Sequence, residues 1–272
     1  MQAPALREVD TKVASIQRSI RGEIPFLRRH GRALTGEQHL ADLSVVQLME
    51  DLLTVPDVFE FGDEPKVALY RRLLQNLKTV SQLSSGSPIA GLPTPRSMQA
   101  HLLTAVEGLT IDQAADVLGV TRAEINVLLK EARTVVARQA GARILIIEDE
   151  EFILMHLESL VQQLGHEVVG TAATKSIAVA QACKTRPDLI LSDVNLADGS
   201  SGLDAVQEIV KDREIPVIFI TAYPERLLTG TCPEPAFLIT KPFNDEAVKA
   251  TVSQAYFLCQ RKAGGGGSAL PQ

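Results

Sequence analysis

Apolar positions in the first half of the chain recur at helical spacing. Phe26-Leu27, His30 and Leu34 are followed by Leu40, Leu43, Val45-Val46, Leu48-Met49 and Leu52-Leu53, spaced three and four apart as one buried helix face requires. Thr35-Gly36-Glu37 divides the first two helices, while Pro56 and Phe61-Gly62-Asp63-Glu64-Pro65 interrupt the next pair. A further helix is predicted from Lys66 to Val80, then a polar linker from Gln82 to Gly91 containing Ser84-Ser85-Gly86-Ser87-Pro88. Helical spacing resumes over residues 93–138.

At Arg143 the pattern changes. Short apolar runs at Ile144–Ile147, Glu167–Gly170, Leu189–Ser192, Val217–Ile220 and Phe237–Ile239 read as strands, each separated by a helix-length stretch. Such alternation predicts βαβ units and a doubly wound parallel sheet of five strands. A length of 272 residues suits two domains, here a helical one over 1–140 and an α/β one over 141–262. The glycine run Gly264–Gly267 belongs to a flexible tail over 263–272.

Composition narrows the class. No apolar run approaches the roughly 18–20 residues of a membrane span, and the N-terminus lacks a signal-peptide core. Cys183, Cys232 and Cys259 form neither a disulfide framework nor a CxxC metal site, so a cytoplasmic protein is expected. Residues 1–142 carry 16 basic and 16 acidic side chains, whereas 143–262 carry 11 and 17 and hold the whole net charge of −6. Neither half has the basic body of a nucleic-acid binder.

The candidate chemistry lies in the second half. Ligands of an open parallel sheet gather at the carboxyl ends of its strands, where this sequence places Glu148-Asp149, Asp193, Thr221 and Lys241. Three converging carboxylates repel one another and call for a hard divalent cation such as Mg²⁺. A hydroxyl and a lysine alongside suit a phosphoryl group carried by one carboxylate, with Asp193 as nucleophile. Each residue alone is more often a solvated loop or helix cap, but together, in order, at successive strand ends, they form a pattern.

Ile-Leu-Ile-Ile-Glu-Asp-Glu at the first strand, Leu-Ser-Asp193 at the third, Phe-Ile-Thr221-Ala at the fourth and Thr-Lys241-Pro242-Phe243 at the fifth resemble a two-component receiver domain, a flavodoxin-like fold. The resemblance implies Asp193 as phosphoacceptor and Glu148, Asp149, Asp193 and the backbone carbonyl of Asn195 as Mg²⁺ ligands. It also implies Thr221 and Lys241 as phosphoryl contacts, a cis Lys241–Pro242 bond, and a histidine kinase as phosphodonor. Such a domain is no enzyme beyond its own phosphoryl transfer and dephosphorylation. The loop after Asp193 is one residue longer than usual, and Leu238 stands where the family's switch aromatic is placed. The switch candidates are therefore Tyr223 and Phe237.

In the first half, Thr110-Ile-Asp-Gln113 and Thr121-Arg-Ala-Glu124 fit the capping box on either side of Gly119. This is a helix-turn-helix pattern, or an ordinary helical hairpin. Residues 92–139, with Leu92-Pro-Thr-Pro-Arg96 and Glu107-Gly-Leu-Thr110, are similar to region 4 of extracytoplasmic-function sigma factors. Residues 15–81, with Leu27-Arg-Arg-His-Gly-Arg-Ala-Leu-Thr-Gly36, resemble region 2. A working sigma factor needs cations on its recognition helix, yet here that helix carries Glu124, Asn126, Leu128 and Leu129, and the chain has no Trp.

A sigma shape without its DNA chemistry, followed by a receiver, resembles the PhyR-type general stress response regulators. That resemblance implies an anti-anti-sigma factor. Its receiver would mask the sigma-like domain until phosphorylated, and the freed domain would then bind a NepR-type anti-sigma factor by shape and not promoter DNA. Two other readings remain: a DNA-binding response regulator or receiver-fused sigma factor acting at promoters, and a haloacid-dehalogenase-like phosphatase. Asn195 stands where the phosphatase would need its general-acid Asp.

Overall fold

The computed structural model describes residues 20–54, 64–85, 94–139, 141–211, 213–229 and 234–264. Pro56, Phe61–Asp63, Gly86–Gly91 of the predicted linker, Pro233 and the tail from 265 lie outside the described residues. The predicted two-part architecture is present. The first part is helical: α1 over 20–35, α2 Gln38–Thr54, α3 Pro65–Ser85, α4 Arg96–Ala105, α5 Ile111–Leu118 and α6 Arg122–Arg138. Their inward faces supply one core, in which Leu27, Leu34, Leu48, Tyr70, Leu73, Leu77, Leu103 and Ile125 are buried.

Both predicted capping boxes form. Thr110 accepts the Gln113 N–H while the Gln113 carboxamide accepts the Thr110 N–H, and Thr121 and Glu124 repeat the arrangement. Gly119 ends α5 at φ 63°, a left-handed cap that favours glycine. The α5–α6 pair is thus fixed locally. One boundary differs from the sequence reading. Helix α3 continues through Ser85, past the linker start at Gln82, because Gln-Leu-Ser-Ser contains no helix breaker before Gly86.

Helix α6 passes into the sheet through the four residues 139–142. The second part is a parallel sheet ordered β2-β1-β3-β4-β5, with β1 Arg143–Ile147, β2 Glu167–Ala172, β3 Leu189–Asp193, β4 Val217–Thr221 and β5 Phe237–Thr240. Helices α7 (Glu151–Gln163) and α10 (Asp245–Gly264) pack Leu157, Leu160, Val161, Val248 and Val252 on one face. Helices α8 (Lys175–Thr185) and α9 (Gly202–Ile209) pack Ala178, Ala182, Ala205 and Val206 on the other. This buries the strands on both sides, and accounts for their continuous apolar runs.

Two expectations are corrected. The stretch between β4 and β5 was predicted to be helical, but its described residues form only a 3₁₀ turn, Pro224–Arg226. Leu227 and Leu228 turn directly into the core, and the prolines and glycine around them are poor helix formers. Helix α10 runs through Gly264, two residues into the predicted tail.

Candidate phosphoryl-acceptor site and domain interface

Strand order puts the candidate residues on neighbouring strand ends. β1 pairs with β3, β3 with β4, and β4 with β5, so Glu148-Asp149, Asp193, Thr221 and Lys241 follow one another across the sheet. Carboxylate oxygens of Glu148, Asp149 and Asp193 lie within 4.8 Å of one another. Lys241 Nζ reaches Asp193 Oδ2 at 2.6 Å, Glu148 Oε2 at 3.1 Å and Glu150 Oε1 at 3.5 Å. Three carboxylates thus face one ammonium, with Asp149 as a fourth in the acidic cluster. Glu150 was not singled out from sequence, because an exposed acid beside two better-placed ones carries no distinct signal.

Electrostatics follow from this surplus. Burial pushes the Glu148 pKa up, and the charge of Asp193 adds to it against the opposing pull of Lys241. Burial alone would lower the Lys241 pKa, but its hydrogen bond to Asp193 and the charge of Glu148 raise it. Asp193 Oδ1 accepts the N–H groups of Val194 and Asn195 at 2.5 and 3.2 Å, so one oxygen is held by backbone while the other accepts from the lysine. The donor set is hard oxygen throughout, which fits Mg²⁺.

Local sequence explains the loop. Gly202 donates its N–H to Val194 O at 3.0 Å, and a Cβ at this position would lie 1.8 Å from Asp193 O. Only glycine lets the α9 start press against the acceptor strand. Thr221 is buried, and its Oγ1 accepts the Tyr223 N–H. The Lys241 N–H donates to Thr221 O at 2.8 Å, and the Lys241–Pro242 bond is cis. Of the two switch candidates, Tyr223 is 48% exposed, two residues from Thr221, with the Arg226 guanidinium over its ring. Phe237 is buried at the opposite end of β5.

The same stretch that supplies Lys241 also meets the helical part. Glu234, whose side chain is fully buried, pairs with Arg28 Nη1 at 3.1 Å and Arg32 Nη1 at 2.5 Å. Its N–H donates to Gln38 Oε1, and Arg32 Nε donates to Pro235 O. Gln254 of α10 donates to Ala33 O at 2.8 Å and Thr94 Oγ1 at 2.6 Å. Phe26 and Ala33 pack among apolar residues of the sheet part, and Ala250 among those of the helical part. None of these partners was legible in sequence, since they lie 160–221 residues apart.

The N-terminal part of α6 mixes charge and apolar surface. Arg122 is held by Asp112 at 2.7 Å, Glu124 caps its own helix, and Val127 is exposed. Among the described residues no helix is long and apolar enough to cross a membrane.

A parallel sheet with an acid-rich acceptor site, docked on a sigma-like helical part, defines a response regulator. The family described as Response regulator receiver domain matches residues 144–253, Sigma2 domain of PhyR residues 20–74, and Response regulator PhyR, sigma-like domain residues 93–139. The chain is 44% identical over 247 residues to the phyllosphere-induced regulator PhyR of Methylorubrum extorquens, covering 87% of this chain and 92% of that protein. This protein belongs to the PhyR family. The structure of the response regulator PhyR from Brucella abortus superposes with a TM-score of 0.82 at 44% identity, covering 93% of this chain and 99% of that one. The anti-anti-sigma factor PhyR from Bartonella quintana gives 0.82 at 38% identity, covering 92% and 99%.

Proposed function

We propose that this protein is a phosphorylation-controlled partner switch, an anti-anti-sigma factor of the cytoplasm. Residues 141–262 are its receiver and 1–140 its sigma-like domain, with 263–272 as tail. In this reading a histidine kinase supplies the phosphoryl group. Asp193 Oδ2 attacks the phosphorus, the P–N bond to the donor imidazole breaks, and the imidazole leaves with a proton from solvent. Glu148, Asp149, Asp193 and the Asn195 carbonyl would hold Mg²⁺, which offsets charge on the phosphoryl oxygens. Thr221 offers its hydroxyl to a phosphoryl oxygen, and Lys241 exchanges its contact with Asp193 Oδ2 for another.

One observation carries the reading. Residues 234–254 deliver Lys241 to the acceptor site and Glu234, Pro235 and Gln254 to the domain interface. Phosphorylation that shifts Lys241 from Asp193 Oδ2 to a phosphoryl oxygen and draws Thr221 toward it therefore acts on the strand and helix that cover α1 and α4. The freed sigma-like surface captures a NepR-type anti-sigma factor and releases the true sigma factor. Promoter DNA is not the target, because the sigma-like half is electrically neutral and offers few counterions to release.

Calorimetry on the full-length chain tests this. If the open form is about 1% populated, masking weakens partner binding roughly 100-fold, or about 2.7 kcal/mol, within the range of known allosteric couplings. Acetyl phosphate with Mg²⁺ is expected to tighten binding of a NepR-type anti-sigma factor by up to that factor, and chelator to abolish the gain. Sequence-specific promoter binding at nanomolar protein, with no capture of the anti-sigma factor, would instead establish the DNA-binding reading.

A further inference from the structure

The interface carries information about the partner as well as about the mask. Arg32 is 1% exposed and Arg28 15%, so both guanidiniums sit in a largely dry seat. Asp42 on α2 bonds Arg28 Nε at 2.8 Å but stands 3.8 Å from Arg32 Nη1, and its other oxygen accepts from Gln38. Asp42 thus balances one of the two cations. The receiver's Glu234 balances the other.

When the receiver leaves, the seat keeps two guanidiniums and one carboxylate. It is framed by Phe26 and Ala33, which pack on the receiver in the closed form. Any partner that covers this apolar frame buries the unbalanced charge again, and burying an ion without a counter-ion is prohibitive. Neutral acceptors such as backbone carbonyls can satisfy N–H groups but leave the charge in place. A lysine or arginine brought by the partner would raise the cost further.

We infer that the anti-sigma partner seats a carboxylate of its own between Arg28 and Arg32, in the place Glu234 occupies in the closed chain. The receiver segment Glu234-Pro235 is then a built-in imitation of the partner's acidic contact, and the two compete for one cationic seat. The mask leaves room for a better fit: Arg32 Nη2 is buried without a hydrogen-bond partner. A carboxylate approaching end-on could engage both terminal nitrogens, the bidentate geometry arginine favours. This inference rests on the partner-switch reading, and adds to it the charge and position of the group that the partner must bring.

The test uses the full-length chain and a NepR-type anti-sigma factor. Glu234→Gln removes the mask's counter-charge without touching the seat, and should bind the partner tightly without phosphate. Adding Arg32→Gln should then weaken binding at least about 30-fold and flatten its salt dependence. Arg28→Gln, at a less buried position, should act in the same direction if Arg32→Gln perturbs folding, which thermal melts report. Arg32→Glu in the Glu234→Gln chain should lose binding and recover it with one Asp→Lys or Glu→Lys change in the partner. Affinity within about threefold of the Glu234→Gln chain for both folded double variants overturns the inference while leaving the switch intact. Absence of any partner binding by the phosphorylated wild-type chain overturns both.

Discussion

Two buried acid clusters in this molecule look alike on a residue list and differ in their balance. At the candidate acceptor site three carboxylates, those of Glu148, Glu150 and Asp193, share Lys241, with that of Asp149 beside them. In the helical half a single carboxylate, Glu107, takes Arg29 Nη2 and Tyr70 Oη at 2.7 Å and His30 Nδ1 at 3.0 Å, while its backbone carbonyl takes Lys66 Nζ. Burial would raise the Glu107 pKa, but the Arg29 charge and the His30 and Tyr70 hydrogen bonds hold it well below the ordinary carboxylate range. Burial lifts Glu148 instead. A surplus of acid leaves room for a cation and a phosphoryl group. A saturated acid leaves room for nothing, and serves to clamp α1 and α3 to the α4–α5 turn.

The comparison breaks most visibly at Asp193. Asp193→Asn should remove acyl phosphate formation from acetyl phosphate, read by intact-protein mass spectrometry as a fall of at least about 100-fold. Its fold should survive, because the site's repulsion is lowered. Wild-type phosphorylation in that variant would remove Asp193 from the mechanism.

Next comes the saturated cluster. Glu107→Ala leaves Arg29 buried without its counter-charge, and should cost about 3–5 kcal/mol in denaturant unfolding with no direct effect on phosphoryl transfer. The pH response has a defined sign. Because the folded pKa is depressed, the Glu107 contribution is complete above the ordinary carboxylate value of about 4.5 and is lost as pH falls through the folded value.

A smaller and opposite effect sharpens the contrast. Glu148→Gln, in chelator, should stabilise the chain by up to about 1 kcal/mol, since it removes one acid from a site that has too many. Loss of stability there would mean that the cluster is balanced after all. The smallest effect concerns a buried group in neither state of balance. His166 Nδ1 accepts the Ala142 N–H, its ring packs edge-on against Tyr256, and burial lowers its pKa. Its contribution is complete above about pH 6.5 and declines as pH falls through the folded value. His166→Phe should flatten that decline, by about 1 kcal/mol or less, in melts between pH 5 and 7.

What the sequence disclosed divides along the same line as range of interaction. Capping boxes at Thr110 and Thr121, the strand runs and the acids at strand ends are local, and each was legible because one short segment contains the whole device. Glu150 was missed because its role depends on where Lys241 arrives from β5. The Glu107 clamp and the Glu234–Arg28–Arg32 seat were missed because no spacing rule joins residues 77 or 206 positions apart. The 3₁₀ turn after β4 was hidden by length: the stretch 222–236 is long enough to read as a helix until, among its described residues, the buried Leu227 and Leu228 show otherwise.

The connection over residues 139–142 has a consequence for cellular arithmetic. A receiver tethered by four residues returns to the sigma-like face at an effective concentration fixed by geometry, on the order of millimolar for short tethers. Its grip therefore does not fade when few copies of the protein are made, nor tighten when many are. On the proposed switch, abundance would set how much anti-sigma factor is absorbed, and phosphorylation of Asp193 would set when absorption begins. Cutting the tether would fuse those two controls into one, with silence kept only in crowded cells.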